Sequence, residues 1–135
     1  TSCDFSKDGE RFRNSEDPPG AILLARSVGN PSEFGVCVMD ETGRIVDILE
    51  KPENPPSDLA IGGIYMFDEN FWGYLDEELE KEDRAFSISD ITRRYVIQNN
   101  AIIRNIGEVT WVDCGTPESL LRAGNMAING EISSE

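Results

Sequence analysis

Gly35-Val36-Cys37-Val38-Met39-Asp40-Glu41-Thr42-Gly43-Arg44-Ile45-Val46-Asp47-Ile48-Leu49-Glu50 reads as two β-strands and the turn between them. The runs on either side are rich in β-branched residues, and Asp40-Glu41-Thr42-Gly43 supplies the turn chemistry that joins a hairpin. Side chains alternate along a strand, which places Val46, Ile48 and Glu50 on one face. The second strand ends in Glu50-Lys51-Pro52, a carboxylate beside an ammonium at a strand terminus. Pro52, Pro55 and Pro56 then forbid further regular pairing. Beyond them Ala60-Ile61-Gly62-Gly63-Ile64-Tyr65 resumes an apolar run through Phe67, with a glycine pair that lets another group approach the backbone closely.

Working outward, Ala21 to Val28 is a nearly continuous apolar run closed by Gly29-Asn30-Pro31, the pattern of a buried strand. Phe71, Trp72, Leu75 and Leu79 recur at helical spacing after Asp68, a capping candidate, with acidic residues on the outer face. Ser87 or Ser89 caps a second helix whose Ile91, Tyr95 and Val96 face inward, and Asn99-Asn100 stops it. Residues 101–106 and 109–112 read as short strands around Gly107. Thr116-Pro117-Glu118 opens a last helix with a capping hydroxyl, a first-turn proline and an acid, and Leu120, Leu121, Gly124, Ala127 and Ile128 form its apolar stripe. The class expected is α/β: a mixed β-sheet with flanking helices, not a regular βαβ array. Residues 1–19 read as a polar lead-in, 20–128 as the folded body and 129–135 as a tail.

Composition narrows the function. The 135 residues carry 26 acidic and 12 basic side chains, a net charge of −14. That charge argues against nucleic acid and against anionic membranes as partners, while a local pair of cations can still bind a small anion. No apolar run approaches the ~20 residues that span a bilayer. There is no His, and the three Cys (Cys3, Cys37, Cys114) are far apart, so a Cys/His zinc site is not expected and reduced thiols in a cytoplasmic protein are.

Five short motifs in order carry a resemblance. Phe34-Gly35-Val36, Glu50-Lys51-Pro52, Ala60 to Tyr65, Ile88-Ser89-Asp90-Ile91 and Trp111-Val112-Asp113-Cys114-Gly115-Thr116 resemble the sugar-1-phosphate nucleotidyltransferases, glucose-1-phosphate thymidylyltransferases above all, over residues 20–128. The resemblance implies the C-terminal portion of a nucleotide-diphospho-sugar transferase-like fold. It also implies an activity that joins a nucleoside triphosphate to a sugar 1-phosphate with release of pyrophosphate, using Mg²⁺.

By that resemblance Lys51 holds the sugar phosphate and Glu50 takes sugar hydroxyls, where an isolated Glu-Lys would be a charge pair closing a strand. Gly35 and Gly62 lie against the sugar, or simply make a turn and a bulge. Ile61 and Tyr65 fall on sugar-site positions, or in the core. Trp111 shapes the pocket floor or the core. Asp113 is a metal ligand, or a partner of the nearby helix N-terminus, and Asp4 in Ser2-Cys3-Asp4-Phe5 is a candidate for the second metal aspartate.

Two departures stand out. The family pattern before the second helix reads Glu-Ile/Leu-Thr-Asp, and Ser87 stands at the Glu position. The family's Gly-rich triphosphate loop, G-x-G-T-R-L, has no counterpart in these 135 residues. The expectation is therefore a sugar-phosphate-binding half that is inactive alone and associates with itself or with a nucleotide-binding half. The alternative is a non-catalytic sugar-phosphate or sugar-nucleotide module of the same fold.

Overall fold

The structure is a computed structural model and describes residues 6–14, 16–81, 86–107, 112 and 114–131. The chain divides into two compact units, Phe5–Gly107 and a smaller one that includes Glu108–Glu135.

The larger unit is a five-stranded mixed sheet in the order β3-β2-β4-β1-β5. The strands are β1 (Ala21–Ser27), β2 (Gly35–Met39), β3 (Ile45–Glu50), β4 (Leu59–Phe67) and β5 (Ala101–Asn105). The expected hairpin is present, β2 running antiparallel to β3 with Gly35 opposite Glu50. Its turn is closed by Asp40, whose Oδ1 accepts from the backbone N–H groups of Thr42 (2.9 Å) and Arg44 (3.0 Å). Gly43 takes the left-handed conformation there, φ +81°, which a side chain would oppose. β1 pairs antiparallel with β4 and parallel with β5. Between Leu23↔Tyr65 and Ala25↔Ile61, β1 advances two residues while β4 advances four. Gly62 and Gly63 therefore sit in a bulge.

β1 is buried on both faces, as its unbroken apolar run implies: Ala21, Ile22, Leu23, Leu24 and Ala25 are all at most 1% exposed. Ala21, Leu23 and Ala25 join Cys37, Ile48, Leu59 and Ile61 in one core with Ile91, Tyr95 and Val96 of a covering helix. That helix is α3 (Ile88–Ile97). It packs on β3 and β1, and α2 (Asn70–Leu79) packs beside it, adding Phe71, Tyr74 and Leu75 to the core. Burial pushes the Cys37 thiol up to about 12, so it is an inert core side chain.

Ser87, not Ser89, is the cap of α3. Its side chain accepts from the Ser89 N–H, and Asp90 closes a capping box. Asn99 ends the helix in a left-handed conformation, φ 57°. Its N–H donates to Val96 O and the Asn100 N–H to Tyr95 O, both at 2.9 Å, the paired bonds of a Schellman stop. Asp68 grips α2 one residue ahead of the cap position, accepting from the Asn70 N–H (3.1 Å) and the Tyr95 hydroxyl (2.6 Å). The acidic outer face of α2 has one exception. Glu78 is buried and paired with Lys81 at 2.7 Å and Arg94 at 3.8 Å.

The polar segment before β1 departs from expectation. Residues read as a lead-in include a helix, α1 (Ser6–Asn14), in which Asp8 pairs with Arg104 of β5. In the smaller unit α4 (Pro117–Ile128) starts as the sequence implies, with Thr116 and Ser119 forming a reciprocal cap. Residues 109–111 of the expected last strand lie outside the described residues.

α3 is also tied to β3 by a two-pronged bond from Arg93 to Asp47, at 2.6 and 3.0 Å. The Arg93 bond holds the Asp47 carboxyl below its usual value. A depressed carboxyl contributes stability above its unfolded pKa of ~3.9 and loses it as pH falls through the folded value. Asp47→Asn is expected to cost about 0.5–1 kcal/mol in urea unfolding at pH 7. The difference from the parent protein should shrink as the pH falls through the lowered Asp47 value.

Candidate functional site

Glu50 and Lys51 lie where β3 runs out. The Lys51 N–H donates to Phe34 O at 2.9 Å, so the corner is pinned to the residue that precedes β2. Lys51 has φ 44°, a left-handed conformation that non-glycine residues seldom adopt. Pro52, next in the chain, disfavours the ordinary helical conformation for it. Such a conformation costs about 1 kcal/mol or more and persists only where the surrounding structure imposes it. The ammonium is exposed, and no carboxylate among the described residues stands within 4 Å of it. In a chain of net charge −14, an unpaired lysine offers a local point of attraction for an anion.

The Glu50 carboxylate is not free to swing. Its Oε2 accepts from the Ser89 hydroxyl at 2.5 Å, linking the end of β3 to the first turn of α3. Gly35 lies directly across the ladder from Glu50 and has no Cβ. A Cβ there would come within 2.8 Å of Ser89 Oγ and 3.5 Å of Glu50 Oε2. Tyr65 is half-buried, its ring stacked on Phe67 at 5.9 Å between centroids. Burial first, and the Glu50 charge second, push its phenol above the ordinary value, so the hydroxyl stays protonated and able to donate. Glu50 and Ser89 also line a shallow groove of about 260 Å³ that runs toward Arg93. The corner thus presents a carboxylate acceptor and, at the next residue, an ammonium, groups that suit a polyhydroxyl ligand carrying an anion.

Of the expected site, the structure sets Gly35 opposite Glu50, with Lys51 next in the chain and the Tyr65 phenol within electrostatic reach of the Glu50 carboxylate. The Ile61 side chain belongs to the core beneath β4. Gly62 is a buried member of the bulge, where a Cβ would make only ordinary contact, 3.5 Å from Leu24 O. Trp111, Asp113 and Asp4 lie outside the described residues. Among the described residues no group of three His, Cys, Asp or Glu side chains could hold a metal ion. No described helix is long and apolar enough to cross a membrane.

The sequence offers both Ser87 and Ser89 as the cap of this helix. The spacing Ser87-x-x-Asp90 is the signal that settles it, because a capping box at Ser87 releases the Ser89 hydroxyl for another partner.

The chain resembles known proteins. Residues 2–130 match the pattern of the nucleotidyl transferase family. A low-salt glycan biosynthesis nucleotidyltransferase, Agl11, of Haloferax volcanii is 32% identical over 81% of this chain and 30% of its own length. A glucose-1-phosphate thymidylyltransferase of Neisseria meningitidis is 35% identical over 78% of the chain and 37% of its own length. The chain therefore spans about a third of these curated relatives. A Bacillus anthracis crystal structure, described as a glucose-1-phosphate thymidylyltransferase in complex with sucrose, superimposes with a TM-score of 0.76 at 31% identity. It covers 99% of this chain and 52% of that one. An apo UDP-glucose pyrophosphorylase shares the fold, with a TM-score of 0.69 at 24% identity. With the mixed sheet and a match over nearly its whole length, the chain belongs to the nucleotidyl transferase family.

Proposed function

We propose that the Glu50-Lys51 corner is the acceptor site of an enzyme that makes a nucleoside-diphosphate sugar of the dTDP-glucose type from a nucleoside triphosphate and a sugar 1-phosphate. The observation that carries this reading is the pairing of two opposite charges with different fates. Lys51 is left unpaired in a strained conformation, while Glu50 is fastened by Ser89. Lys51 takes a phosphate oxygen; Glu50 and Tyr65 exchange hydrogen bonds with sugar hydroxyls. Binding so arranged fixes the direction of the sugar phosphate, and alignment of an attacking phosphate is a large share of phosphoryl-group catalysis.

In this reading the chain is the C-terminal, sugar-phosphate half of the catalytic domain. Asp113 and Asp4 would ligate Mg²⁺ in the complete enzyme, where the ion would offset charge on the phosphates. Because no Gly-rich phosphate cradle occurs in the 135 residues, the chain alone binds acceptor without turning it over. Calorimetric titration with glucose 1-phosphate tests the site. The parent chain should give saturable binding, and Lys51→Ala should weaken it about tenfold or more, the loss of one charge-assisted contact. No saturable heat, or an unchanged Lys51→Ala isotherm, would overturn the reading.

The sheet supports a second element of the proposal. β2 meets β4 at the single register pair Val36↔Ala60, so on that side β4 beyond Ala60 has no strand partner among the described residues. Such an edge invites another strand: one from the nucleotide-binding half in the whole enzyme, and one from a second copy in the isolated chain. Sedimentation at increasing concentration should show a growing dimer fraction, and a monodisperse monomer throughout would contradict it.

A further inference from the structure

We propose that Ser89 is a positioning residue for Glu50. Its hydroxyl, seated in space that only glycine at position 35 leaves, fixes one carboxylate oxygen so that the other is presented to the ligand. The inference rests on reading Glu50 as the acceptor of sugar hydroxyls.

A glutamate at an exposed strand end has three side-chain torsions to lose on binding, and ordering them beforehand is worth affinity. Among the described residues Ser89 is the sole hydrogen-bond partner of the Glu50 carboxylate. Oε2 is engaged at 2.5 Å and Oε1 is open. Ser89 suits this work because, among the described residues, its hydroxyl has no other partner. Ser87 and Asp90 cap the helix, and Ser89 spends only its backbone N–H on that cap. At 9% exposure the hydroxyl has little access to competing water.

Gly35 supplies the space. Its φ is not in the left-handed range, so conformation does not demand a glycine there. Clearance does: a Cβ would stand 2.8 Å from Ser89 Oγ, closer than real Cβ contacts allow, and 3.4 Å from Ile48 Cγ2. Gly35, Ser89 and Glu50 come from three elements and meet at one point, β2 across the ladder from β3 and α3 above both. The acceptor site thus extends into the first turn of α3, and Gly35 acts through Ser89 as well as by lying beside the ligand.

The test uses the full 135-residue chain with Ser89→Ala, Ser89→Thr, Gly35→Ala and Glu50→Ala. Glucose 1-phosphate and inorganic phosphate are the probes, and crystal structures of the parent and Ser89→Ala are compared. Ser89→Ala should weaken glucose 1-phosphate about tenfold and leave inorganic phosphate, held through Lys51, unchanged. Ser89→Thr keeps the hydroxyl and should restore most of the affinity. Gly35→Ala should mimic Ser89→Ala, and Ser89→Ala should add nothing in a Glu50→Ala background. The Ser89→Ala crystal structure should show the Glu50 carboxylate displaced from its place beside Gly35.

An unmoved carboxylate would overturn the proposal, as would parent-like glucose 1-phosphate affinity in Ser89→Ala alongside loss in Glu50→Ala. If the parent binds no glucose 1-phosphate, the acceptor reading has failed instead. The crystallographic comparison then still decides the positioning role, displacement supporting it and an unmoved carboxylate refuting it.

Discussion

Tyr95→Ala should lower stability by about 3–5 kcal/mol, the largest loss expected from any single truncation of this core. Tyr95 is fully buried. Its ring lies 5.4 Å from that of Phe67 and meets Tyr74 edge-on at 5.2 Å, while its hydroxyl donates to Asp68 Oδ1 at 2.6 Å. One side chain therefore joins α3 to the end of β4, to α2 and to the corner between them. Its carbonyl also receives the Asn100 N–H that stops α3, so the backbone around the ring is fixed at the same point. Whole-domain stability is about 5–15 kcal/mol, and the loss corresponds to a fall of about 10–20 °C in the thermal midpoint. Tyr95→Phe separates the two contributions: it keeps the ring and removes the bond to a carboxylate, an expected cost of about 1.5–3 kcal/mol. Cys37 gives a second readout, since a buried thiol pushed up to about 12 is protected from labelling while the core is closed. Tyr95→Ala should raise its labelling rate in proportion to the lost stability. A change below 1 kcal/mol, with Cys37 still protected, would mean that the core closes without the ring.

Tyr95 also shows how much of the fold could be read in advance. Its helical spacing with Ile91 placed it inside, and the same periodicity placed Phe71 and Leu75. The hairpin, the doubly buried β1 and both capped helices were legible for a common reason: each is governed by neighbours within a few residues. What escaped reading depends on distant partners. α1 has no apolar stripe to announce it, and Asp8 is paired with a residue 96 positions away. The order β3-β2-β4-β1-β5, which sets β4 between β2 and β1, is not encoded in any local run. The site divides in the same way. Glu50 and Lys51 are visible as a strand-end pair, and Gly62-Gly63 as a bulge. Ser89 meets Glu50 across 39 residues, and only the folded chain shows why position 35 is a glycine.

Lys51 should respond to substitution in opposite directions for binding and for stability. Its φ of 44° costs a non-glycine residue about 1 kcal/mol or more. Alanine inherits that cost because its Cβ meets the same steric conflict; glycine does not. Lys51→Gly should therefore be about 1 kcal/mol more stable than Lys51→Ala, the reverse of the order expected in a helix. The greater freedom of glycine in the unfolded chain trims that margin equally against alanine and against the parent, so Lys51→Gly should exceed both by a similar amount. Both variants remove the ammonium and should lose glucose 1-phosphate by about tenfold or more, whatever their stability. Urea unfolding of the three proteins, set beside their titrations, separates backbone from side chain. Equal stability for glycine and alanine would show that the corner carries no strain. Loss of binding in alanine but not in glycine would show that the ligand is held by the backbone at position 51 and not by the cation. The expected outcome is that the fold tolerates a costly conformation at Lys51, and that the ammonium it aims is the return on that cost.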